Sequence, residues 1–246
     1  VGGSIPPTPT SMKIEIIYQD NDLLVVNKPA GISVFDDNQE ETLINLLIRS
    51  LPELKSVGIQ PRYGVIHRLD KETSGLLLIA KNDASLAHFQ NEFFQSRVIK
   101  EYTTLCHGTL SKEEGKIETI MTRSPKDRRK QKSSPLYDTR VKGKPRLAVS
   151  EYQVLKKIGN YTLMKVVPLT GRKHQIRSHM VYLNHPIAGD KLYSFKNQPV
   201  PRGLTRQFLH ADKLIVRMMD NQMKSFESAL PEELERVLDN IKKDEK

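Results

Sequence analysis

Apolar positions along the chain cluster into short runs with strand character, interrupted by a few stretches with helical spacing. Residues 14–18 and 23–27 are rich in β-branched and large aliphatic side chains, and Gln19-Asp20-Asn21-Asp22 splits them, which predicts a hairpin. Lys28-Pro29-Ala30-Gly31 stops the second run with a turn. Leu43, Leu46 and Leu47 predict a helix over 42–50, limited by Pro52. Residues 75–80 form a continuous apolar run of strand length, suited to a buried central strand. Leu86, Phe89, Phe93 and Phe94 predict a helix over 82–96, with Asn82 or Asp83 as its cap. Strands are expected at 100–106, 116–121, 149–155, 161–167, 208–211 and 214–217, and a helix over 172–183, closed by Asn184 and Pro186. A last helix over 231–241 opens with Pro and acids and ends near lysines, the polarity its dipole favours. Strands come in runs and do not alternate with helices. The expected class is therefore α+β, with a mixed, largely antiparallel sheet and flanking helices.

Composition narrows the picture. The 246 residues suffice for one large domain or two small ones. Residues 1–11 are rich in Gly, Pro, Ser and Thr and lack periodicity; they are expected to be a disordered tail or tag remnant outside the fold. The single cysteine, Cys106, has no partner for an internal disulfide and favours a reducing compartment; in an apolar strand it is core and not a nucleophile. No apolar run approaches the roughly 18 residues of a membrane helix, and no secretory signal is visible, so a cytoplasmic protein is expected.

Charge adds a local feature. The chain carries a net charge of +10, yet between Arg123 and Arg146 ten Lys/Arg face only two Asp, a net of +8 in 24 residues. Such a patch binds polyanions, or is a solvated loop kept extended by its own repulsion; composition does not separate the two.

The densest candidate chemistry lies at His67-Arg68-Leu69-Asp70-Lys71-Glu72-Thr73-Ser74-Gly75, where a charged turn leads into the apolar run. Polar groups at the mouth of a rigid strand are well placed for catalysis. By residue type alone the same stretch is a surface turn with a capping Asp, and that is the commoner use of such residues.

The run His67-Arg68-Leu69-Asp70 with Thr73-Ser74-Gly75-Leu76-Leu77 resembles the signature of RluA-type pseudouridine synthases. Pro168-Leu169-Thr170-Gly171-Arg172-Lys173-His174-Gln175-Ile176-Arg177 and His185-Pro186-Ile187-Ala188-Gly189-Asp190 resemble later motifs of that family. Lys28-Pro29-Ala30-Gly31 resembles the family's first motif, Lys100-Glu101-Tyr102 its short Lys-x-Tyr motif and Leu209-His210-Ala211 the block near its C-terminus, all in the family's order. The resemblance implies the pseudouridine synthase fold with a central RNA-binding cleft, one catalytic domain over 12–246 and no S4 module before it. It implies that Asp70 is the nucleophile, that Arg177 pairs with it and favours its ionised form, and that Tyr102 lies against the target base. The reaction breaks the uracil N1–C1′ bond, turns the base and rejoins it through C5, with no metal or organic cofactor. Attack by Asp70 at C6, attack at C1′ and elimination to a glycal-like intermediate all remain open. The target uridine of a structured rRNA or tRNA must be flipped out of its stack, at a cost of roughly a few kcal/mol. Arg68, Arg172 and His174, and Arg128, Arg129 and Lys130 of the basic segment, are the expected RNA contacts of a monomeric enzyme.

Rival readings are weaker. His174, His179 and His185 lack a metal-site spacing, so no metal is expected. A serine hydrolase around Ser74 lacks its Gly-x-Ser-x-Gly elbow, and a kinase lacks its Gly-rich loop. A catalytically silent RNA-binding protein on the same fold is the alternative; intact Asp70, Tyr102 and Arg177 argue against it. Lys173, Asn184 and Ser194 depart from the usual family residues, which bears on substrate choice more than on the Asp–Tyr–Arg set.

Overall fold

The computed structural model describes residues 13–36, 41–141 and 143–244, so the 1–11 tail lies outside the described residues. In chain order the elements are β1 (Glu15–Gln19), β2 (Leu23–Lys28), α1 (Leu43–Ser50), β3 (Ser74–Ala80), α2 (Asp83–Phe94), β4 (Ile99–His107), β5 (Glu114–Arg123), β6 (Gln131–Ser134), β7 (Arg146–Ile158), β8 (Tyr161–Pro168), α3 (Gln175–Tyr182), β9 (Leu209–Arg217), β10 (Met223–Glu227) and α4 (Glu232–Asp244). They form two compact units. One comprises the chain up to Arg97 together with Val216–Ser228, the other Val98–Ile215 together with the residues from Ala229 on.

In the first unit β1, β2 and β3 pair antiparallel, with Leu24 opposite Ile79 and Val26 opposite Leu77. All seven residues of β3 are buried, as expected for an apolar run covered on both faces. Thr42 caps α1 by accepting from Asn45 N, and Asn82 with Ser85 forms a capping box on α2. Phe89 of α2 is buried and Phe94 is exposed, so the helix's apolar stripe is narrower than its sequence suggests. Phe226 of β10 packs at 5.2 Å from Tyr18 of β1, and Lys224 lies over the same ring.

In the second unit the strand order is β9-β4-β8-β7-β5-β6, antiparallel at every step. Its core joins Leu105, Met164 and Val166 of the sheet to Ile176 and Met180 of α3 and to Leu234, Val237 and Ile241 of α4. Burying such side chains contributes roughly 1.5–3 kcal/mol each. The predicted strands at 208–211 and 214–217 are one strand, β9, bulged at Asp212 where it meets β4. Two strands escaped the sequence pattern. β6 lies inside the basic segment, paired to β5 with Lys132 opposite Thr122, so part of that segment is ordered ladder and not free loop. β10 reads Met-Lys-Ser-Phe-Glu, with one buried residue, too short and polar to announce itself.

Candidate active site and nucleic-acid interface

In the first unit, the turn that carries Asp70 is braced from three directions. Thr73 N donates to Asp70 O at 3.0 Å, closing the turn. Gly31 N donates to Lys71 O at 2.9 Å. The wholly buried Lys28 sends its ammonium to Pro29 O, Ile32 O and Lys71 O at 2.8, 2.9 and 3.1 Å. A buried ammonium is tolerated only when its donors are met. Here they are met by carbonyls, one of which belongs to the residue after Asp70. The Lys-Pro-Ala-Gly motif, expected to stop β2 with a turn, therefore also holds the Asp70 loop.

His67 is equally committed. Its Nε2 accepts from Leu78 N of β3 at 3.1 Å, which puts its ring proton on Nδ1, and its ring stacks on Phe93 at 4.5 Å. His67 anchors the loop to the strand. Arg68 is exposed with its guanidinium 5.2 Å from the centre of the Phe35 ring, and Asp70 is half-buried at the end of this braced segment.

In the second unit, Tyr102 stands on β4 opposite Val166 of β8 and Ala211 of β9. The β9 bulge falls between Glu101 and Tyr102. Arg177 is buried on α3, and its fork grips Asp190: Nε to Oδ2 at 2.7 Å and a terminal nitrogen to Oδ1 at 2.9 Å. Asp190 Oδ1 also accepts from Leu192 N and Tyr193 N, so one carboxylate fixes both Arg177 and the start of the Tyr193 segment. The Arg177 guanidinium lies 4.9 Å from the Tyr193 ring centre. The Tyr193 hydroxyl accepts from Gln131 N at 2.6 Å and meets His174 Nδ1 at 3.0 Å, with Lys130 Nζ 5.9 Å from the ring. Three expected site residues, Arg177, His174 and Lys130, thus converge on a tyrosine that sequence reasoning assigned no role. Asp190 and Tyr193 stood inside or beside the motifs. Their function depends on a loop fold that spacing does not reveal.

The α3 helix begins at Gln175, three residues later than predicted, because His174 takes a left-handed conformation at φ +54° and breaks the run. The Gln175 side chain ties the turn before the helix to β7. Its Oε1 accepts from Thr170 Oγ1 and Arg172 N, and its Nε2 donates to Val149 O and Ser150 Oγ. Beneath it the fully buried His179 meets Ser150 Oγ through Nδ1 and Thr119 Oγ1 through Nε2, both at 3.0 Å. Burial pushes its imidazole down to about 4, so it stays neutral in the folded protein. The same cause pushes the Cys106 thiol up to about 12. Gly189 precedes Asp190 at φ +73°, where a Cβ would run into the carbonyl oxygen of Arg206, so only glycine fits.

The remaining expected RNA contacts are dispersed. Arg128 and Arg129 are exposed at the β5–β6 turn, but Arg129 is already held by Asp127, through Nε at 3.0 Å and a terminal nitrogen at 2.9 Å. Arg140 is held by Asp138 through Nε at 3.1 Å. The two acids of the basic segment each occupy a neighbouring arginine. Arg172 lies elsewhere, in a pocket of about 330 Å³ with Arg123, Lys144, Arg146 and Lys173. Among the described residues, no group of three or more His, Cys, Asp or Glu is placed to hold a metal, and no helix is long and apolar enough to cross a membrane.

Comparison with known proteins matches these features to one family. The profile of the RNA pseudouridylate synthases fits residues 22–182, a stretch that contains Asp70, Tyr102 and Arg177. An uncharacterized RNA pseudouridine synthase of Aquifex aeolicus is 40% identical over 80% of this chain, the match spanning 61% of that protein. Ribosomal large subunit pseudouridine synthase D of Haemophilus ducreyi is 31% identical over 96% of this chain and 73% of its own length. Among solved structures, the human RNA pseudouridylate synthase domain containing 4 superposes with a TM-score of 0.75 at 25% identity, covering 92% of each chain. The α+β architecture and the family profile agree, and the chain belongs to the RNA pseudouridylate synthases, a family of RNA-modifying isomerases.

Proposed function

We propose that this protein converts specific uridines of ribosomal RNA to pseudouridine, with Asp70 as nucleophile, Tyr102 against the base and Arg177 supporting the charge of Asp70. The observation that carries the reading is the family match over 22–182, which includes all three residues in sequence. Relatives named ribosomal large subunit pseudouridine synthase D, from Haemophilus ducreyi and Borreliella burgdorferi, match over 96% of the chain and favour ribosomal over transfer RNA. Local geometry supports the roles of Asp70 and Arg177. Asp70 sits on a loop held by the buried Lys28 and by His67, which is the preorganisation a nucleophile needs. Arg177 is fixed by Asp190 and aligned on Tyr193, so its position does not depend on substrate. The basic β5–β6 turn, with Arg128 and Lys130, contacts RNA phosphates; Arg68 and His174 contact the RNA near the flipped nucleotide. The protein acts in the cytoplasm, as a monomer.

The test is Asp70→Asn, which keeps the shape of the side chain and removes its charge. Pseudouridine formation on ribosomal RNA, mapped chemically, is expected to fall below detection while RNA binding is retained. Turnover near that of the wild type would remove Asp70 from the mechanism.

A further inference from the structure

Five cations line the pocket between the end of β5, the start of β7 and the turn before α3: Arg123, Lys144, Arg146, Arg172 and Lys173, with no acidic residue among its lining. Among the described residues, Arg123, Lys144, Arg146 and Lys173 take part in no ion pair. Arg172 is fixed by one bond, Nε to Leu147 O at 3.0 Å, and its terminal nitrogens have no partner among the described residues. The contrast with the rest of the basic segment is informative, because there Asp127 and Asp138 each already hold an arginine. Like charges gathered without counter-charge repel one another, and an anion relieves that repulsion.

Gly171 lines the same pocket, and its missing side chain is explained neither by crowding nor by a left-handed φ. A Cβ there would meet nothing within 4 Å. Its bare backbone leaves open space flanked by cations, as in sites where a phosphate approaches the main chain. At about 330 Å³ the pocket is at the lower end of the roughly 300–1,000 Å³ of ligand sites. Its lining offers no aromatic ring on which a base could stack.

From this we infer that the pocket is a seat for backbone phosphates of the RNA substrate, read without regard to base identity, with one phosphate against Gly171 and Arg172. The inference rests on the reading of the ligand as RNA. It extends the RNA-binding region from the β5–β6 turn to the pocket at its base, lined by Arg123 and Gln131 and built partly from Lys173, one of the chain's departures from the family pattern.

The experiment measures RNA affinity against salt concentration, in an Asp70→Asn background so that the RNA is not consumed. The triple variant Lys144→Ala, Arg146→Ala, Lys173→Ala is expected to lower the slope of log K against log salt by about 2, at roughly 0.7–0.9 for each phosphate that is no longer neutralised. Gly171→Ala is expected to weaken RNA binding at fixed salt with an unchanged melting temperature, since the added methyl strains nothing and occupies the seat. An unchanged slope in the triple variant, or undiminished affinity in Gly171→Ala, overturns the proposal. Pseudouridine formation by the wild-type protein is measured separately. Its absence would sink the enzymatic reading, while the slopes still decide whether phosphates enter this pocket.

Discussion

His179 makes a sharp prediction about acid stability. Its ring is wholly buried between Thr119 of β5 and Ser150 of β7, and its folded pKa is about 4 against 6.5 in the unfolded chain. Between those values the unfolded state binds more protons than the folded one, so stability rises with pH across the window. The contribution is complete above pH 6.5 and is lost as pH falls towards 4. The drop from 6.5 to about 4 corresponds to about 3 kcal/mol, of which about 2.5 kcal/mol is already lost at pH 4.5. Replacing His179 by Gln removes the titration and weakens the bonds to the two hydroxyls, a cost of about 1–3 kcal/mol at pH 7.5. The wild-type advantage should then shrink steadily on acidification and be gone or reversed near pH 4.5. Urea unfolding midpoints, measured at intervals from pH 7.5 to 4.5 for both proteins, check this. Carboxylates common to both proteins cancel in the difference. An equal stability gap at both ends of the range would refute the claim that His179 is held neutral by burial.

Two further outcomes follow from the second unit. Asp190→Ala removes the carboxylate that takes two Arg177 nitrogens and two backbone N–H groups, and should cost about 3–5 kcal/mol in urea unfolding. A loss under about 1 kcal/mol would show that Arg177 is fixed by other groups. Cys106, buried with its thiol pushed up to about 12, should resist alkylation by iodoacetamide at pH 8 in the native protein and react on unfolding; rapid native labelling would contradict its placement in β4.

Most of the fold was legible because its strands are apolar on at least one face and its helices carry their caps. Asn82, one of the two caps expected for α2, forms its capping bond, and Thr42, expected as the first residue of α1, turns out to be its cap. β6 and β10 were not legible. Their stability comes from backbone ladders and neighbours, so polar residues such as Gln131 and Lys132 suffice, and composition alone reads as loop there. The start of α3 was misplaced for a related reason. Nothing in Arg172-Lys173-His174 forbids helix; the left-handed His174 is imposed by the network around Gln175 and Tyr193. At the site, motif order pointed to Asp70, Tyr102 and Arg177, whereas the residues that hold the loop and the arginine, Lys28 and Asp190, act through carbonyls and turns set by tertiary structure.

The interleaving of the two units in the chain governs how the protein can be made. Synthesis supplies residues up to Arg97 first, then all of Val98–Ile215, and only afterwards Val216–Ser228, the piece that completes the first unit. Until that piece emerges, Tyr18 lacks Phe226 and Lys224, and Glu92 lacks its second arginine, Arg217. The unit that carries Asp70 therefore cannot mature on the ribosome ahead of the rest. A nascent chain stalled before residue 216 would leave that unit unfinished however long it waited, and no single cut would part the two units into whole, self-contained fragments.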